Sequence, residues 1–202
     1  MPGRPSRPPR SPPRRSAPPP RSAPNAAGAH FLTDRQLIAQ LVRASGAGAG
    51  DLVFDLGAGY GALTRPLARS GARVIAIELD PGLAERLRRQ FSGEPLVGVV
   101  EADLRAVPLP RRPFHVVASP PFALTTFLCR RLLGDQSVRL TGAELILEWG
   151  AARWLSSSRP RDRETARWAA RYDMRLVRRV PADSFSPPPR SDAAYLRIRP
   201  RD

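Results

Sequence analysis

One stretch of the sequence restricts the possible folds more than any other: an apolar strand that leads through a glycine-rich turn into a helix. In residues 53–64 a buried run is followed by Gly57 and Gly59 and then by a helix start. Glycines let the backbone approach a ligand closely, and the N-terminus of a helix favours negative charge. A second apolar run, residues 73–78, ends in Glu78 about 20 residues beyond the glycines, where a carboxylate can hold ribose hydroxyls. The two runs together predict a nucleotide-binding unit.

Strands and helices alternate along the rest of the chain. After a cap signal at Thr33 and Asp34, apolar residues from Leu37 to Val42 recur at helical spacing. Residues 181–191 are too few for a crossover helix, so we expect the last two strands to pair antiparallel. Alternation of this kind predicts an α/β fold with a doubly wound, mostly parallel sheet. The expected strands are residues 51–56, 73–78, 96–100, 114–118, 143–148, 174–180 and 193–199; the expected helices are 60–70, 81–91, 123–133, 149–156 and 162–171, with a loop at 134–141.

The motif Ser119-Pro120-Pro121-Phe122 follows the strand expected at 114–118. Two prolines restrict φ and remove two backbone donors, so this turn is stiff and its carbonyls point outward. A hydroxyl precedes the prolines and an aromatic ring follows them. Such a turn offers acceptors to an amino group and a flat face to a planar ring, as a nucleobase amine requires. An isolated motif of this kind is more often an ordinary strand-ending turn, but the glycine loop and the acid that precede it favour the functional interpretation.

The order of these motifs resembles that of one enzyme family. The chain is similar to S-adenosylmethionine-dependent rRNA adenine-N6 methyltransferases, and among them to the erythromycin-resistance (Erm) methyltransferases. The resemblance covers about residues 29–200 and implies a Rossmann-like class I methyltransferase fold, with a seven-stranded, mostly parallel sheet and an antiparallel edge hairpin. The matching stretches are residues 30–34, 55–64, 77–80, 101–104, 119–122 and 185–191.

The resemblance also implies an activity and its residues. The activity would be transfer of a methyl group from S-adenosylmethionine to N6 of an adenine in 23S rRNA, conferring macrolide-lincosamide-streptogramin-type resistance. Ser119 and Pro120 would accept from the adenine amine and Phe122 would stack on the base, so these three would be the catalytic residues. Phe185 would approach the base from its other side. The implied cofactor contacts are His30, Leu32, Gly57, Gly59, Glu78, Asp103, Leu104 and Ser119.

Some matched positions differ from the family or have a second explanation. Erm proteins usually carry asparagine where Ser119 stands, and His30 also replaces an asparagine. Ser119 and Asp103 could each be a cap of the helix that follows, and Phe185 could be a core aromatic. Erm proteins usually continue into a small helical domain, whereas this sequence ends at Asp202, so we expect a short form without it. That difference affects substrate docking more than catalysis.

Arginine supplies the positive charge of the sequence. The 202 residues include 33 arginines and no lysine, and the net charge is +15. Because arginine pairs bidentately with phosphate, we expect an RNA partner. Residues 1–28 hold ten prolines, six arginines and no acid, which predicts a disordered arm before a catalytic domain at 29–202. An RNA-binding arm and an unselected tail explain this composition equally well.

The remaining composition indicates the compartment and the absence of metal. The single cysteine, Cys129, excludes an internal disulfide and is consistent with a reducing cytoplasm; we expect it to be buried. Two scattered histidines, His30 and His115, do not predict a metal site. No apolar run approaches the ~20 residues of a membrane span. We therefore expect a cytoplasmic monomer with rRNA, most simply 23S rRNA, as its partner.

Other functions remain alternatives. A small-subunit rRNA adenine dimethyltransferase is the nearest, although that group has leucine where Pro120 stands. A DNA amino methyltransferase would need a separate target-recognition segment, and the net charge disfavours a protein-glutamine methyltransferase. A non-catalytic RNA-binding relative of the same fold is the alternative from another class. It would have no use for the pocket that Gly57, Gly59 and Glu78 predict.

Overall fold

Strands and helices alternate in the computed structural model, which describes residues 30–201. The arm predicted for residues 1–28 lies outside the described residues and stays a prediction. The strands are β1 (Phe31–Leu32), β2 (Leu52–Leu56), β3 (Arg73–Glu78), β4 (Val97–Glu101), β5 (Phe114–Ala118), β6 (Leu140–Glu148), β7 (Tyr172–Val180), β8 (Phe185–Ser186) and β9 (Ala193–Pro200). The α-helices are α1 (Arg35–Ser45), α2 (Thr64–Arg69), α3 (Pro81–Gln90), α4 (Thr125–Leu133), α5 (Trp149–Leu155) and α6 (Arg163–Arg171).

Seven strands form one sheet in the order β4-β3-β2-β5-β6-β9-β7. β2 to β6 pair in parallel, and β9 lies antiparallel between β6 and β7. This confirms the predicted mostly parallel sheet with an antiparallel pair at its edge. The chain winds outward from the centre in both directions, through β3 on one side of β2 and β5 on the other. The carboxyl ends of β2 and β5 therefore enclose the crevice where open α/β sheets bind ligands.

Helices cover the two faces of the sheet with separate apolar clusters. On one face, Leu37 and Leu41 of α1 and Leu67 of α2 are fully buried. On the other face, Leu132 of α4 and Trp168 of α6 are at most 2% exposed. Burying one large apolar side chain stabilises a folded protein by about 1.5–3 kcal/mol. These contacts therefore hold the helices against the sheet.

The start of α1 has the cap that the sequence predicts. The Asp34 carboxylate accepts from the backbone N–H groups of Gln36 at 2.9 Å and Leu37 at 3.0 Å. Cap bonds of this kind satisfy donors that have no partner within the helix. They also orient the chain between β1 and α1, next to the crevice.

Two predicted starts differ from the structure by three or four residues, and the other boundaries by at most two. The helix expected at 60–70 begins only at Thr64, because Gly59 and Gly61 adopt φ of +55° and +77°, which a helix excludes. β6 begins at Leu140, inside the loop expected at 134–141, since Leu140 is 4% exposed and pairs with Phe114. The missing alternation before residue 143 concealed this part of the strand.

A second, two-stranded sheet joins the two ends of the described chain, and the sequence did not predict it. β1 pairs antiparallel with β8, so that Phe31 lies opposite Ser186 and Leu32 opposite Phe185. The Thr33 N–H extends the contact by donating to the Ser184 carbonyl at 2.8 Å. Two-residue strands are too short to show an alternating pattern. This small sheet lies across the crevice.

Two expectations about composition are tested by this fold. Cys129 is 1% exposed, and burial raises the pKa of its thiol to about 12, so it packs in the core as predicted. Within residues 30–201, no helix combines the length and the apolar character that a membrane crossing requires.

Candidate active site

The glycine loop after β2 contacts the Ser119–Phe122 motif after β5. Gly57 has φ of +78°, a left-handed conformation that favours glycine. A Cβ at this position would lie 3.3 Å from Pro121 Cδ and 3.5 Å from Pro120 Cα. Two motifs that are far apart in sequence therefore share one edge of the crevice, and a side chain at position 57 would press against the prolines.

β1 closes over the same glycine loop. A Cβ on Gly59 would lie 2.7 Å from Phe31 Cδ1, and Gly59 has φ of +55°. The Phe31 ring packs edge-on against Tyr60, with ring centroids 4.6 Å apart. Phe31 and Tyr60 belong to the matched stretches, although neither is among the site residues named above. Their packing holds β1 on the loop.

One cavity of about 120 Å³ collects several predicted residues. His30 and Leu32 line it from the β1 side, and Gly57 and Ser119 line it from the ends of β2 and β5. Leu32 is 6% exposed, so it contributes an apolar wall. Phe122 does not line this cavity, which separates the residue predicted to hold a base from those predicted to hold a cofactor.

Asp55 also lines this cavity, and the sequence analysis did not single it out. It is 1% exposed within β2, and its Oδ2 accepts from Thr64 Oγ1 at 2.6 Å. Burial raises the pKa of the Asp55 carboxyl to about 7; the Thr64 hydrogen bond lowers it, and the charge of Glu78 raises it. An acid inside an apolar strand, directly before the glycines, was the signal that could have revealed it.

The Glu78 carboxylate is held by backbone donors at the end of β3. Its Oε2 accepts from the Gly59 N–H at 2.8 Å, and its Oε1 accepts from Leu79 and Asp80 at 2.8 and 2.9 Å. A carboxylate has about four acceptor positions, so one remains free on Oε2. A ribose hydroxyl can donate to that position, whereas a bidentate ribose contact would displace a backbone donor.

Asp103 and Leu104 follow β4 and lie outside the cavity, along the same edge of the sheet as Glu78. Asp103 accepts from the Arg105 backbone N–H at 2.8 Å and from Arg105 Nη1 at 3.2 Å. Its carboxylate thus caps a turn and not a helix, since no helix follows before β5, and the side chain stays 35% exposed. Leu104 is 6% exposed and belongs to the core.

Arg131 holds the loop that carries these two residues. From α4, its Nη1 donates to the Leu104 carbonyl at 2.8 Å and to the Arg105 carbonyl at 3.2 Å, and its Nη2 donates to Val107 at 2.5 Å. One guanidinium therefore satisfies three carbonyls of the turn after β4. Nothing local in the sequence connects position 131 with this turn, so only the fold reveals the contact.

Phe122 is the half-buried ring of the Ser119–Phe122 motif. Its centroid lies 6.1 Å from that of Phe185, in an edge-to-face arrangement, and 6.3 Å from that of His30. Phe185 is only 3% exposed, so it packs as a core aromatic and supports Phe122 from behind. His30 is anchored separately, because its Nδ1 donates to the Pro187 carbonyl at 2.9 Å.

Ser119 does not cap a helix. The turn of 3-10 helix at Phe122–Leu124 begins after Pro121, and α4 begins after Leu124, neither with a side-chain cap bond. Within residues 30–201 the Ser119 hydroxyl makes no hydrogen bond. At the carboxyl end of β5 the motif therefore presents, where Ser119 lines the cavity, a hydroxyl that has no partner among the described residues.

The chain matches a protein family over nearly its whole length. The family described as "Ribosomal RNA adenine dimethylase" matches residues 23–202. The chain is 31% identical over 176 residues to an "rRNA adenine N-6-methyltransferase" of Bacillus licheniformis, covering 87% of this chain and 61% of that protein. It is 36% identical over 174 residues to "Mycinamicin-resistance protein MyrB" of Micromonospora griseorubida, covering 86% and 55%.

A solved structure shows the same fold. The 23S rRNA methyltransferase ErmE superposes with a TM-score of 0.78 at 31% identity, over 85% of this chain and 70% of that one. The chain spans about three-fifths of the length of the Bacillus licheniformis relative. The family match over residues 23–202 includes the sheet and every candidate residue described above.

Proposed function

Since the chain belongs to the ribosomal RNA adenine dimethylase family, we propose that it transfers methyl groups from S-adenosylmethionine to N6 of an adenine in 23S rRNA. The contact of Gly57 with Pro120 and Pro121 carries this proposal. It brings the loop suited to a cofactor against the motif suited to a base amine. A transfer reaction requires the two reactants to be held side by side in this way.

The crevice has the donors and acceptors that S-adenosylmethionine needs. The missing Cβ at Gly57 and Gly59 lets the prolines and Phe31 pack closely around the crevice. Glu78 keeps one acceptor position for a ribose hydroxyl. The exposed part of Asp103 can accept from an adenine amine, and ionised Asp55 can balance an ammonium group. The bound cofactor would supply the methyl group and its own leaving group. The protein contributes orientation and electrostatics.

At the other side of the crevice, three groups would hold the target adenine. The free Ser119 hydroxyl and the Pro120 carbonyl would accept from the two N–H bonds of the amine, drawing its delocalised lone pair toward the reacting methyl group. The Phe122 ring would stack on the base after the base has left its own stack. Phe185 and His30 support that ring, as their centroid distances of 6.1 and 6.3 Å indicate.

We expect Glu78→Gln to weaken cofactor binding about tenfold. The amide cannot accept at both oxygens, so it loses either the ribose hydroxyl or a backbone donor, at a cost of about 1.5 kcal/mol. Calorimetric titration with S-adenosylhomocysteine measures the change. The control is Glu101→Gln, because Glu101 lies opposite Glu78 on β4 and its carboxylate pairs, among residues 30–201, with Arg88 alone. Equal losses in the two variants would contradict the ribose assignment.

The proposed substrate is tested directly on RNA. Purified protein is incubated with S-adenosylmethionine and with transcripts of 23S or 16S rRNA, and N6-methyladenine is located by mass spectrometry and primer extension. We expect methylation of 23S rRNA only, and a raised erythromycin resistance in a susceptible strain that carries the gene. Methylation of 16S rRNA alone would instead establish the small-subunit alternative. Cofactor binding without methylation of either RNA would contradict the proposal.

A further inference from the structure

An open groove of about 540 Å³ lies between α1 and the edge strand β7 and shares no lining residue with the cavity described above. Arginine and glutamine side chains form nearly all of its lining, which includes no acid from residues 30–201. The lining residues are Arg35, Gln36, Ala39, Gln40, Arg43 and Arg178. We call this surface the α1–β7 groove. It is a concave cationic surface with neutral donors between its charges.

Two of these arginines are free to bind an anion. Within residues 30–201, neither Arg35 nor Arg43 contacts a carboxylate, and both side chains are exposed. They lie eight positions apart on one helix, a separation of about 12 Å. Arg178, on the opposite wall, lies 3.5 Å from Asp34 Oδ2. The groove thus carries a net positive charge along its length.

Arginines continue onto the adjacent sheet, where Arg175 is paired with Asp173. Arg178 pairs in register with Tyr195, and Arg175 pairs with Arg197, so these side chains project from the face that α1 covers only in part. Arg197 is held in place, because its Nη2 donates to Tyr195 Oη at 3.1 Å and its Nε lies 3.5 Å from Glu144. Glu144 is fully buried and forms a second ion pair with Arg199. The buried acid therefore orients arginines at the surface.

One end of the groove adjoins the candidate active site. Asp34, which contacts Arg178, caps α1 and accepts from Ser184 Oγ at 3.5 Å. The residue after Ser184 is Phe185, whose ring supports Phe122. A strand of nucleic acid with one base at Phe122 could therefore enter the groove within a few nucleotides.

We propose that the α1–β7 groove binds the phosphate backbone of the RNA strand next to the target adenine. Arg35, Arg43 and Arg178 pair with phosphates, and the glutamines donate to phosphate or ribose oxygens without reading the sequence. This inference rests on the proposed function, since it is RNA that occupies the groove. The groove supplies affinity and alignment, and the Ser119–Phe122 motif selects the base.

The test compares two double variants with the same change of charge. Arg35→Gln/Arg43→Gln removes the two free cations of the groove. Arg111→Gln/Arg112→Gln removes two exposed arginines that precede the central strand β5 and do not line the groove. Binding of a 23S rRNA transcript is measured without cofactor over a series of KCl concentrations. The Michaelis constant for RNA, kcat and S-adenosylhomocysteine affinity are measured in parallel.

We expect the groove variant to bind RNA more weakly and to lose about 1.4 to 1.8 from the log–log salt slope, as two lost phosphate contacts predict. Its Michaelis constant for RNA should rise, with kcat and cofactor affinity unchanged. Equal salt slopes in the two variants would contradict the proposal that the α1–β7 groove binds RNA. RNA binding that depends on the groove in a protein without methylation activity would overturn the proposed function instead and leave the groove as an RNA site.

Discussion

Replacing Phe122 with alanine should lower methyl transfer to RNA by about 10- to 100-fold and leave the affinity for S-adenosylmethionine almost unchanged. Stacking of a base on an aromatic ring is worth about 1–3 kcal/mol. Phe122 does not line the cavity that contains Gly57 and Ser119, so its removal spares the cofactor side of the crevice. Phe185 cannot replace it, because that ring is 3% exposed.

Single-turnover methylation of a 23S rRNA transcript measures the loss at Phe122, and titration with S-adenosylhomocysteine measures cofactor binding. The conservative variant Phe122→Trp provides the control, because it keeps a stacking surface and should restore most of the rate. A role in folding alone would lower activity and cofactor affinity together in Phe122→Ala. That outcome would remove Phe122 from the base-binding side of the site.

The free energy of unfolding should fall by up to about 4 kcal/mol as pH rises from about 4 to about 7, through Asp55 alone. The pKa of this carboxyl is raised to about 7 in the folded protein, chiefly by burial, against an ordinary value of 3.8. Between these two values the folded state keeps a proton that the unfolded state has released. The contribution of Asp55 to the free energy of unfolding therefore falls as pH rises across this window. Above and below the window that contribution does not change with pH.

Urea unfolding of wild type and Asp55→Asn at a series of pH values isolates this contribution. Asparagine carries no proton to lose, so the difference in stability between the two proteins should change with pH while all other groups cancel. Between about pH 4 and pH 7, the free energy of unfolding of Asp55→Asn should rise relative to that of wild type. A difference independent of pH would show that Asp55 titrates normally. In that case the Thr64 hydrogen bond would lower the pKa of Asp55 as much as burial raises it.

The parallel sheet could be predicted from the sequence because its signals are local. The runs at 73–78 and 114–118 match β3 and β5 residue for residue, and the short connection at 181–191 correctly indicated an antiparallel pair. The missed β1–β8 pairing has no local signal, since each strand has two residues and the partners lie at opposite ends of the described chain. Sequence patterns identify strands, but a short pairing depends on what the rest of the fold brings together.

Some residues of the candidate site could likewise be predicted from local sequence signals, whereas others are revealed only by the fold. The glycine loop, Glu78 and the Ser119–Phe122 motif were visible because each ends a predicted strand. The raised pKa of Asp55 was not, because it follows from burial by residues elsewhere in the fold. Arg131 was equally hidden, since its three carbonyl partners precede it by more than 20 positions. Motifs thus indicate which groups act, and packing determines how they are held.

The β1–β8 pairing determines when the small sheet that lies across the crevice can form. β1 is synthesised near the start of the described chain, and its partner β8 only about 150 positions later. Until Phe185 and Ser186 have left the ribosome, β1 has nothing to pair with, and Phe122 lacks the ring behind it. A nascent chain therefore holds an incomplete site until β8 has been synthesised and has paired with β1. If the protein methylates rRNA as proposed, it can act only after that point.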